Sequence, residues 1–536
     1  MPPQPPADDD ADLSRRRFLA ATGGALAAGA LPSAQALSSA PSFEHANATF
    51  TELQAQMARG GLTSHALVQQ YLDRIAAVDR RGPELRAYIE LNPEALAEAD
   101  ARDAERKAGK VRGPLHGLPI AIKDNIGVAG AMSTTAGCAG LEGVRVADAP
   151  LVKRLREAGA VILGKTNLSE WANFRSSNSV SGWSSRGGQT RNPYAPERSP
   201  SGSSSGSAVA ATENLCAAAI GSETDGSITS PAACNSLVGL KPTIGLVSRD
   251  GIIPISHSQD TAGPMARTVA DCALLMNAIA GPDAGDPATM APGVPRGIDF
   301  TRHLGMRLEG VRLGVGRQYF GVNEKADDVI DRALAVLRDE GAELVDVEIP
   351  SFGKFDDDEL EVLLNEFRAD LATYFARHMP QGPFKSLSDV IEYNARNAAK
   401  MMPIFGQDLM VKANAKGVLT EAAYRKALAK CRQGARAQGI DAVVRKHKVE
   451  AIVALTSPPA WYIDVVNGDA TRGGCTSMPA VAGYPHVTVP AGFARGLPVG
   501  VSFFGPAFSD ARLLGLAAAF ERVTRARRAP ADVARA

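Results

Sequence analysis

Three separate stretches of the chain carry side chains that could break an acyl bond together. Lys123 ends the apolar run LPIAIK, Ser203 lies in a Gly/Ser-rich loop, and Ser227 follows Gly226 in a tight turn. A serine hydroxyl is a weak nucleophile near neutral pH and needs a base. A lysine that is partly desolvated at a strand end has a lowered pKa, so its neutral amine can accept that proton. These residue types therefore predict serine–lysine hydrolase chemistry.

The two serine stretches also have the backbone features that acyl transfer needs. The loop SPSGSSSGSAVA begins at Ser199 and runs into an Ala-rich segment that favours a helix, whose N-terminus presents free backbone N–H groups. In GSETDGSITSPA, Ser227 comes shortly after the apolar run LCAAAIG, and the successive amides of such a turn can bind an oxyanion. A flexible linker is the alternative interpretation of the first loop, but this loop lies between apolar segments of one domain.

Together, these stretches resemble the amidase signature family, and the resemblance extends from about residue 45 to about residue 525. It implies that Lys123 is the catalytic base, that Ser203 relays the proton from a cis peptide with Gly202, and that Ser227 forms the acyl-enzyme. The two serines are 24 residues apart, as in the family signature. The resemblance also implies an oxyanion hole that consists of the backbone amides of Thr224, Asp225, Gly226 and Ser227.

The sequence between and around these stretches alternates between strand and helix patterns. Short apolar runs that end in Gly or polar residues predict buried strands, and segments such as APLVKRLREAGA predict helices between them. Apolar positions recur at helical spacing from Phe43 to about Ile89, and residues 355–445 have almost no strand signal, which predicts a helical layer over one sheet face. No repeat or linker divides the chain. We therefore expect an α/β fold, with residues 37–536 as a single large domain whose mixed β-sheet core is covered by helices, as in the amidase signature fold.

The N-terminus has the pattern of an export signal. Arg15, Arg16 and Arg17 precede a modest apolar run from Phe18 to Leu31, and the small-residue pattern Ala-Gln-Ala follows at 34–36. The apolar run is shorter than the roughly 20 residues that a membrane-spanning helix needs. These features predict a twin-arginine signal peptide over residues 1–36, and a mature protein that is periplasmic or secreted without a membrane anchor.

The composition argues against several classes of partner. Lys+Arg and Asp+Glu are balanced at 58 each, so no global charge favours nucleic acid or an anionic membrane. Eight histidines and six cysteines are scattered without metal-ligand spacing or a CxxC pair, and the cysteines are interpreted as small buried hydrophobic residues. We expect no cofactor and no metal ion. A small-molecule or peptide amide fits better as the substrate.

The residues after the nucleophile turn bear on the substrate. Many family members read Gly-Gly-Ser-Ile-Arg here, whereas this chain reads Asp-Gly-Ser-Ile-Thr and ends the motif at Thr229. Together with NLSEWANF, GWSSRGGQTRNPY and SRDGIIPIS, this motif resembles the bacterial peptide amidase branch, whose members release ammonia from C-terminal peptide amides. An Arg beside the nucleophile would favour an acidic substrate, so Thr229 favours a neutral carboxamide. Trp461, Tyr462 and Asp464, in a Pro-rich loop, are further substrate-binding candidates, with loop packing as the alternative.

We therefore expect an amidohydrolase that cleaves linear carboxamides through an acyl-enzyme, in particular C-terminal amides of peptides with release of ammonia. An exported amidase for aryl or fatty acylamides is the alternative. An amidotransferase component that acts on charged tRNA is disfavoured by the export signal and by the lack of a basic surplus. A non-catalytic exported binding protein is disfavoured because Lys123, Ser203 and Ser227 are all present.

Overall fold

The computed structural model describes residues 43–470 and 473–531. The predicted twin-arginine signal peptide, residues 1–36, lies outside the described residues, so it stays a prediction. No helix among the described residues is both long and apolar enough to cross a bilayer. The six cysteines are free and buried, as the sequence predicts for small hydrophobic side chains.

The described residues form a mixed eleven-stranded sheet and a separate two-stranded ribbon. The strands in chain order are β1 (Tyr88–Leu91), β2 (Pro119–Lys123), β3 (Val161–Thr166), β4 (Trp183–Ser184), β5 (Gly188–Gln189), β6 (Ala218–Glu223), β7 (Val238–Lys241), β8 (Thr261–Ala266), β9 (Arg312–Gly316), β10 (Glu343–Val347), β11 (Ala451–Leu455), β12 (His486–Ala494) and β13 (Leu497–Phe504). The sheet order is β1-β3-β2-β6-β8-β7-β12-β13-β11-β9-β10, and β4 pairs with β5. This arrangement confirms the predicted α/β domain with a mixed sheet at its core.

The helices surround this sheet. In chain order they are α1 (Phe50–Ala58), α2 (Ser64–Arg74), α3 (Ala95–Lys107), α4 (Pro150–Glu157), α5 (Ser205–Thr212), α6 (Thr229–Cys234), α7 (Val269–Ile279), α8 (Glu324–Asp339), α9 (Asp356–His378), α10 (Leu387–Arg396), α11 (Ala398–Met401), α12 (Asp408–Asn414), α13 (Ala422–Ala435), α14 (Asp441–His447), α15 (Ser477–Ala482) and α16 (Asp510–Thr524). Every residue of β2, β3, β6, β7, β8 and β11 is buried, as expected for strands that are covered on both faces.

Two strands differ from the sequence interpretation. Residues up to about Ile89 have helical spacing, but Tyr88–Leu91 forms an edge strand that pairs antiparallel with β3. Strand β8 has the sequence TAGPMA, in which Gly263 and Pro264 hide the strand signal. It is nevertheless central, because it pairs with β6 on one side and with β7 on the other. Both segments are strands because they pair with strands that are distant in sequence, and the local sequence pattern does not show this pairing.

Residues 355–445 contain helices α9–α14 and no strand within this described segment. Their buried faces belong to two apolar clusters. Phe367 and Phe375 of α9 pack with Trp171 and Ile253, which lie in loops at the strand ends, and not on the sheet itself. Helices α13 and α14 pack in a cluster that includes Ile452 of β11. The segment therefore covers the strand-end loops as well as part of the sheet.

The sheet register brings three polar strand ends to one edge and one face. Strands β2 and β6 are parallel neighbours, with Ile122 opposite Ile220. Strand β8 runs antiparallel to both β6 and β7, so β6 and β7 run in the same direction. Lys123, Glu223 and Lys241 are the last residues of β2, β6 and β7. Because side chains alternate along a strand, the register places all three on the same face.

Candidate active site

Lys123 is fully buried and contacts both serine stretches of the predicted site. Its Nζ lies 2.8 Å from the Ser203 Oγ, 3.0 Å from the Ser222 carbonyl oxygen and 3.0 Å from the Ser222 Oγ. Burial lowers the pKa of Lys123 to about 7, and the negative charges of Glu223 and Asp260 oppose this decrease only in part. The neutral amine is therefore well populated near pH 7.

Ser203 lies in the loop that leads into α5, and small side chains hold this loop close to its neighbours. The Gly202–Ser203 peptide bond is cis, as the family resemblance implies. A Cβ on Gly202 would lie 2.3 Å from the Ser169 Oγ, so only glycine fits there. The Ser169 N–H donates to the Ser203 carbonyl at 3.1 Å. Helix α5 consists of small buried residues and packs closely against β6, which fixes the loop relative to the strand that precedes Ser227.

Ser227 lies in the turn between β6 and α6, and 6% of its surface is exposed. Gly226 has a φ of +74°, in the left-handed region where glycine is favoured, and a Cβ there would lie 3.0 Å from the Thr476 Oγ1. The Ser204 N–H donates to the Ser227 carbonyl at 3.0 Å, so the two serine loops are in direct contact. The structure thus brings Lys123 into contact with Ser203 and places the Ser227 turn against the Ser203 loop.

The backbone amides of residues 224–227 are the donors predicted for the oxyanion hole. Within the described part of the chain, none of these four N–H groups donates to a protein acceptor. The Thr224 Oγ1 donates to the Asp260 carboxylate at 2.6 Å, which fixes one end of the turn. The Asp225 carboxylate accepts from the Ser477 Oγ at 2.6 Å at the start of α15. The turn is therefore held from two sides while its amides stay free.

Glu223 and Thr229 hold the C-terminal end of this turn through hydrogen bonds. The Glu223 carboxylate accepts the N–H groups of Ile228 at 2.7 Å and Thr229 at 2.9 Å. Thr229 is fully buried, and its hydroxyl donates to the same carboxylate at 3.2 Å. The structure therefore places Thr229 behind the nucleophile turn, where its side chain contacts Glu223 and has no exposed surface.

Trp461 belongs to the loop of residues 457–470, which lies beside the Ser203 loop. Its carbonyl accepts the Ser199 N–H at 2.8 Å, and its Nε1 donates to the Asp469 carboxylate at 2.9 Å. Asp469 also accepts the N–H and the hydroxyl of Ser181. The Ser181 Oγ lies within 3.1 Å of where a Gly202 Cβ would be. Hydrogen bonds thus connect this loop to the residues around Ser203.

Tyr462 and Asp464 occupy more exposed positions in the same loop. Tyr462 is 60% exposed, and the Arg198 guanidinium lies over its ring at 4.1 Å from the centroid. The Asp464 carboxylate accepts the N–H groups of Val466 and Asn467, and it also accepts from the Asn467 side chain. These bonds hold the loop's own conformation, so the structure gives Asp464 a local role in addition to the predicted contact with a substrate amine.

Four residues that the sequence interpretation did not select contact the predicted site: Ser222, Asn125, Glu223 and Asp469. The Ser222 Oγ receives hydrogen bonds from Lys123 and from the Asn125 side chain, the latter at 2.9 Å. Asn125 follows Lys123 by two residues, and Ser222 and Glu223 end the strand before the nucleophile. A polar residue at a strand end beside a motif is the sequence signal that could have identified Ser222, Asn125 and Glu223. Asp469 had none, because its partner Ser181 is 288 residues away in sequence.

Away from this site, the described residues bring together one group with metal-ligand chemistry. The candidate ligand atoms of His257, Glu366 and Asp370 lie within 4.8 Å of one another. Glu366 already accepts hydrogen bonds from Ser256 and Tyr424, and Asp370 accepts from the His257 ring. These bonds join the loop before β8 to α9 and α13.

Comparison with known proteins identifies the family. The Amidase family model matches residues 66–514. A probable amidase of Arabidopsis thaliana is 40% identical over 502 residues, covering 92% of this chain and 93% of that protein. A glutamyl-tRNA(Gln) amidotransferase component of Roseiflexus sp. is 36% identical over 491 residues, covering 89% of this chain and 96% of that protein.

A solved structure is similar over nearly the same range. The X-ray structure of native peptide amidase from Stenotrophomonas maltophilia is 52% identical, with a TM-score of 0.87, and covers 91% of this chain and 99% of that chain. Sequence and fold therefore agree over most of the described residues. The chain belongs to the amidase signature family and is an amidohydrolase that acts on the C–N bonds of linear amides.

Proposed function

We propose that Ser227 attacks the amide carbonyl, that Ser203 relays the proton and that Lys123 is the base. The observation that carries this proposal is the 2.8 Å contact between the Lys123 Nζ and the Ser203 Oγ, made by a lysine whose pKa burial lowers to about 7. A base is most effective when its pKa is near the working pH. No metal ion is needed to activate the nucleophile in this scheme.

The contacts of Lys123 also set the direction of proton transfer. A neutral amine has two N–H groups and one lone pair. The Ser222 carbonyl oxygen and the Ser222 Oγ, both at 3.0 Å, are acceptors for the two N–H groups, and the Asn125 amide donates to the same Oγ. The lone pair then faces the Ser203 hydroxyl. Lys123 is therefore oriented to accept a proton from Ser203.

The proposed reaction has two halves that share this path. Ser227 passes its proton through Ser203 to Lys123 while its oxygen bonds to the carbonyl carbon, and the oxyanion is bound by the amides of residues 224–227. Donors of this kind contribute about 3 kcal/mol each to transition-state stabilisation. The proton then returns through Ser203 to the leaving nitrogen as the C–N bond breaks. Water hydrolyses the acyl-enzyme by the reverse path.

We propose C-terminal amides of peptides as the substrates, with ammonia as the leaving group. The 52% identity to a peptide amidase over 91% of the chain supports this choice. The exposed ring of Tyr462 and the buried Trp461 lie in the loop beside the Ser203 loop, where aromatic surface can contact a peptide. Aryl or fatty acylamides are the alternative substrates.

Release assays with the full chain test both parts of the proposal: ammonia is measured for the primary amides and aniline for the anilide. The substrates are a peptide amide, the matching peptide anilide, a fatty primary amide and the free-acid peptide as a blank. We expect the peptide amide to have the highest kcat/KM, and Ser227→Ala to abolish both turnover and labelling by a fluorophosphonate. If the anilide or the fatty amide turns over and the peptide amide does not, the substrate proposal is wrong. If Ser227→Ala still turns over, the mechanism is wrong.

The same chemistry predicts the pH dependence. Because Lys123 acts as the neutral amine, kcat/KM falls as the pH drops through its pKa of about 7. At one pH unit below this pKa, about a tenth of the base is neutral, so activity falls about tenfold. A flat profile between pH 5.5 and 8 would contradict the assignment of Lys123 as the base.

We also propose export through the twin-arginine pathway. The motif at Arg15 and Arg16 and the run that follows it support this proposal. Replacement of both arginines by lysine keeps the positive charge but removes the guanidinium groups. If the export pathway recognises the arginines themselves, we expect this variant to stay in the cytoplasm. Fractionation of cells that express either chain measures this. Equal amounts of periplasmic protein from the two chains would overturn the proposal.

A further inference from the structure

The nucleophile turn is held by a carboxylate that makes no direct contact with the proposed catalytic groups. Glu223 is buried and accepts the amide N–H groups of Ile228 and Thr229, the two residues that follow Ser227. These bonds fix the start of α6 and therefore the direction of the peptide planes at Ser227. A charged acceptor holds two N–H groups more firmly than a neutral one. The orientation of the turn thus depends on the charge of Glu223.

Lys241 is a buried lysine on the same sheet face as this carboxylate. Its side chain has no exposed surface and its Nζ donates to the Pro242 carbonyl at 3.2 Å. The register places Lys241 on the same sheet face as Glu223, with β8 between their strands. Gly263 of β8 pairs with Gly221, two residues before Glu223. Lys241 and Glu223 are therefore two buried side chains at the same edge and on the same face of the sheet, with one strand between them.

We propose that Glu223 and Lys241 are positioning residues for Ser227: Glu223 orients the nucleophile turn as a carboxylate, and the charge of Lys241 keeps it ionised. This inference depends on the proposed function of Ser227. Lys241 acts only through Glu223, so removing the lysine has no consequence for the turn once the carboxylate is gone.

The other charged and titratable groups near Glu223 act in different directions. Burial raises the pKa of Glu223, Lys241 opposes this increase, and Asp225 adds to it. Lys123 of β2 lies on the other side, and Glu223 favours its charged form. Cys475 is a buried thiol whose pKa burial raises to about 12, so it is neutral during catalysis.

The surroundings of Lys241 single out Glu223 among its anionic neighbours. Burial lowers the pKa of Lys241 to about 8, and the negative charges of Glu223, Asp510 and Asp225 oppose this decrease, in that order. Asp510 is already engaged by the N–H and the hydroxyl of Thr243. His486, opposite Lys241 on β12, has its pKa lowered to about 3 by burial, with Lys241 contributing, and it is neutral. Lys241 is thus the cation that offsets the burial of Glu223.

The test compares Lys241→Met, Glu223→Gln and the double variant of the full chain in the ammonia-release assay across pH 5.5–9.5. In Lys241→Met we expect Glu223 to become protonated at higher pH, which moves the acid limb of kcat/KM up by about one pH unit. The limb also steepens over the pH range in which Glu223 takes up its proton, because activity then falls with the protonation of Glu223 as well as of Lys123. Activity recovers at pH 9, where Glu223 is ionised again. We expect KM to stay unchanged, because both side chains are buried.

The second and third variants separate positioning from a merely structural role. Glu223→Gln lowers kcat by about tenfold on the plateau above pH 8, because a neutral acceptor replaces a charged one. Loss of the Glu223 charge also lowers the pKa of Lys123, so the acid limb moves to lower pH. In the double variant we expect the same kcat as in Glu223→Gln and a one-proton acid limb. Lys165→Met is the matched control, because Lys165 is also a fully buried strand-end lysine but faces Asp124. We expect Lys165→Met to leave the slope of the acid limb of kcat/KM unchanged.

Each outcome decides the inference. A Lys241→Met enzyme with a wild-type pH profile, or an additive loss in the double variant, overturns it. If Lys241→Met does not fold, Glu223→Gln decides alone: full kcat overturns the inference, and a loss of kcat at constant KM supports it. Turnover by Ser227→Ala would instead show that the proposed function itself is wrong, so the two failures can be told apart.

Discussion

Replacing Lys123 with methionine should abolish activity and yet stabilise the protein at neutral pH. Lys123 is fully buried and its pKa in the folded protein is about 7, against an ordinary value of 10.5. Because the folded pKa is the lower one, the unfolded chain binds more protons between pH 7 and pH 10.5. The free energy of unfolding therefore rises with pH across this window, and the cost of burying the amine is largest at and below pH 7.

These two pKa values give the size of the effect. Burying Lys123 costs about 4 kcal/mol of unfolding free energy at pH 7 and about 1 kcal/mol at pH 9.5. Methionine has a similar volume and removes this cost, but it also removes hydrogen bonds to Ser203 and Ser222, worth about 2 kcal/mol together. We expect Lys123→Met to be about 2 kcal/mol more stable than the wild type at pH 7 and about 1 kcal/mol less stable at pH 9.5.

Urea unfolding at pH 7 and pH 9.5 measures this reversal of sign. The control is Lys110→Met, which removes an exposed lysine and should give the same small difference at both pH values. A stability difference for Lys123→Met that does not change with pH would refute the reasoning. It would mean that the buried Lys123 keeps its proton in the folded state, and the proposed base would then be wrong.

Three further variants test the rest of the site. Ser203→Ala removes the proton relay and should lower kcat by about 10² to 10⁴ with little change in KM, measured by ammonia release. Gly226→Ala requires a positive φ and brings a Cβ within 3.0 Å of Thr476, so we expect a loss of about 1–2 kcal/mol in unfolding free energy and a lower kcat. Thr229→Val keeps the shape but loses the hydroxyl bond to Glu223; kcat should fall a few-fold with unchanged preference between neutral and acidic amides. A changed preference would show that Thr229 does contact the substrate.

The sequence predicts the fold class, which the structure confirms, and it supplies the three side chains that we propose as catalytic. Each of Lys123, Ser203 and Ser227 lies in a local motif, and the chemistry of a desolvated lysine beside a serine can be argued without coordinates. The apolar strands β2, β3 and β6 are visible for the same reason, because they are buried on both faces. Features that depend only on the local sequence pattern can therefore be predicted from the sequence.

The support of the site is less visible, because it depends on contacts between distant segments. Strand β8 contains glycine and proline and is a strand only because β6 and β7 hold it on both sides. Asp469 and Ser181 are far apart in sequence, and their hydrogen bonds exist only once the loop of residues 457–470 lies beside the Ser203 loop. The local sequence around Lys241 does not distinguish it from other lysines at strand ends. Only the register shows that it shares a sheet face with Glu223.

The position of Thr229 changes where substrate selection must be sought. From the sequence, a threonine in place of the arginine of many relatives suggests a neutral substrate directly. In the structure, the Thr229 side chain is fully buried and bound to Glu223, so it acts on the turn and not on the substrate surface. An arginine here would bring a second cation to Glu223, which already shares a sheet face with Lys241. Discrimination between amides must therefore be sought among residues with exposed surface near the site, and the loop with the exposed Tyr462 is one candidate.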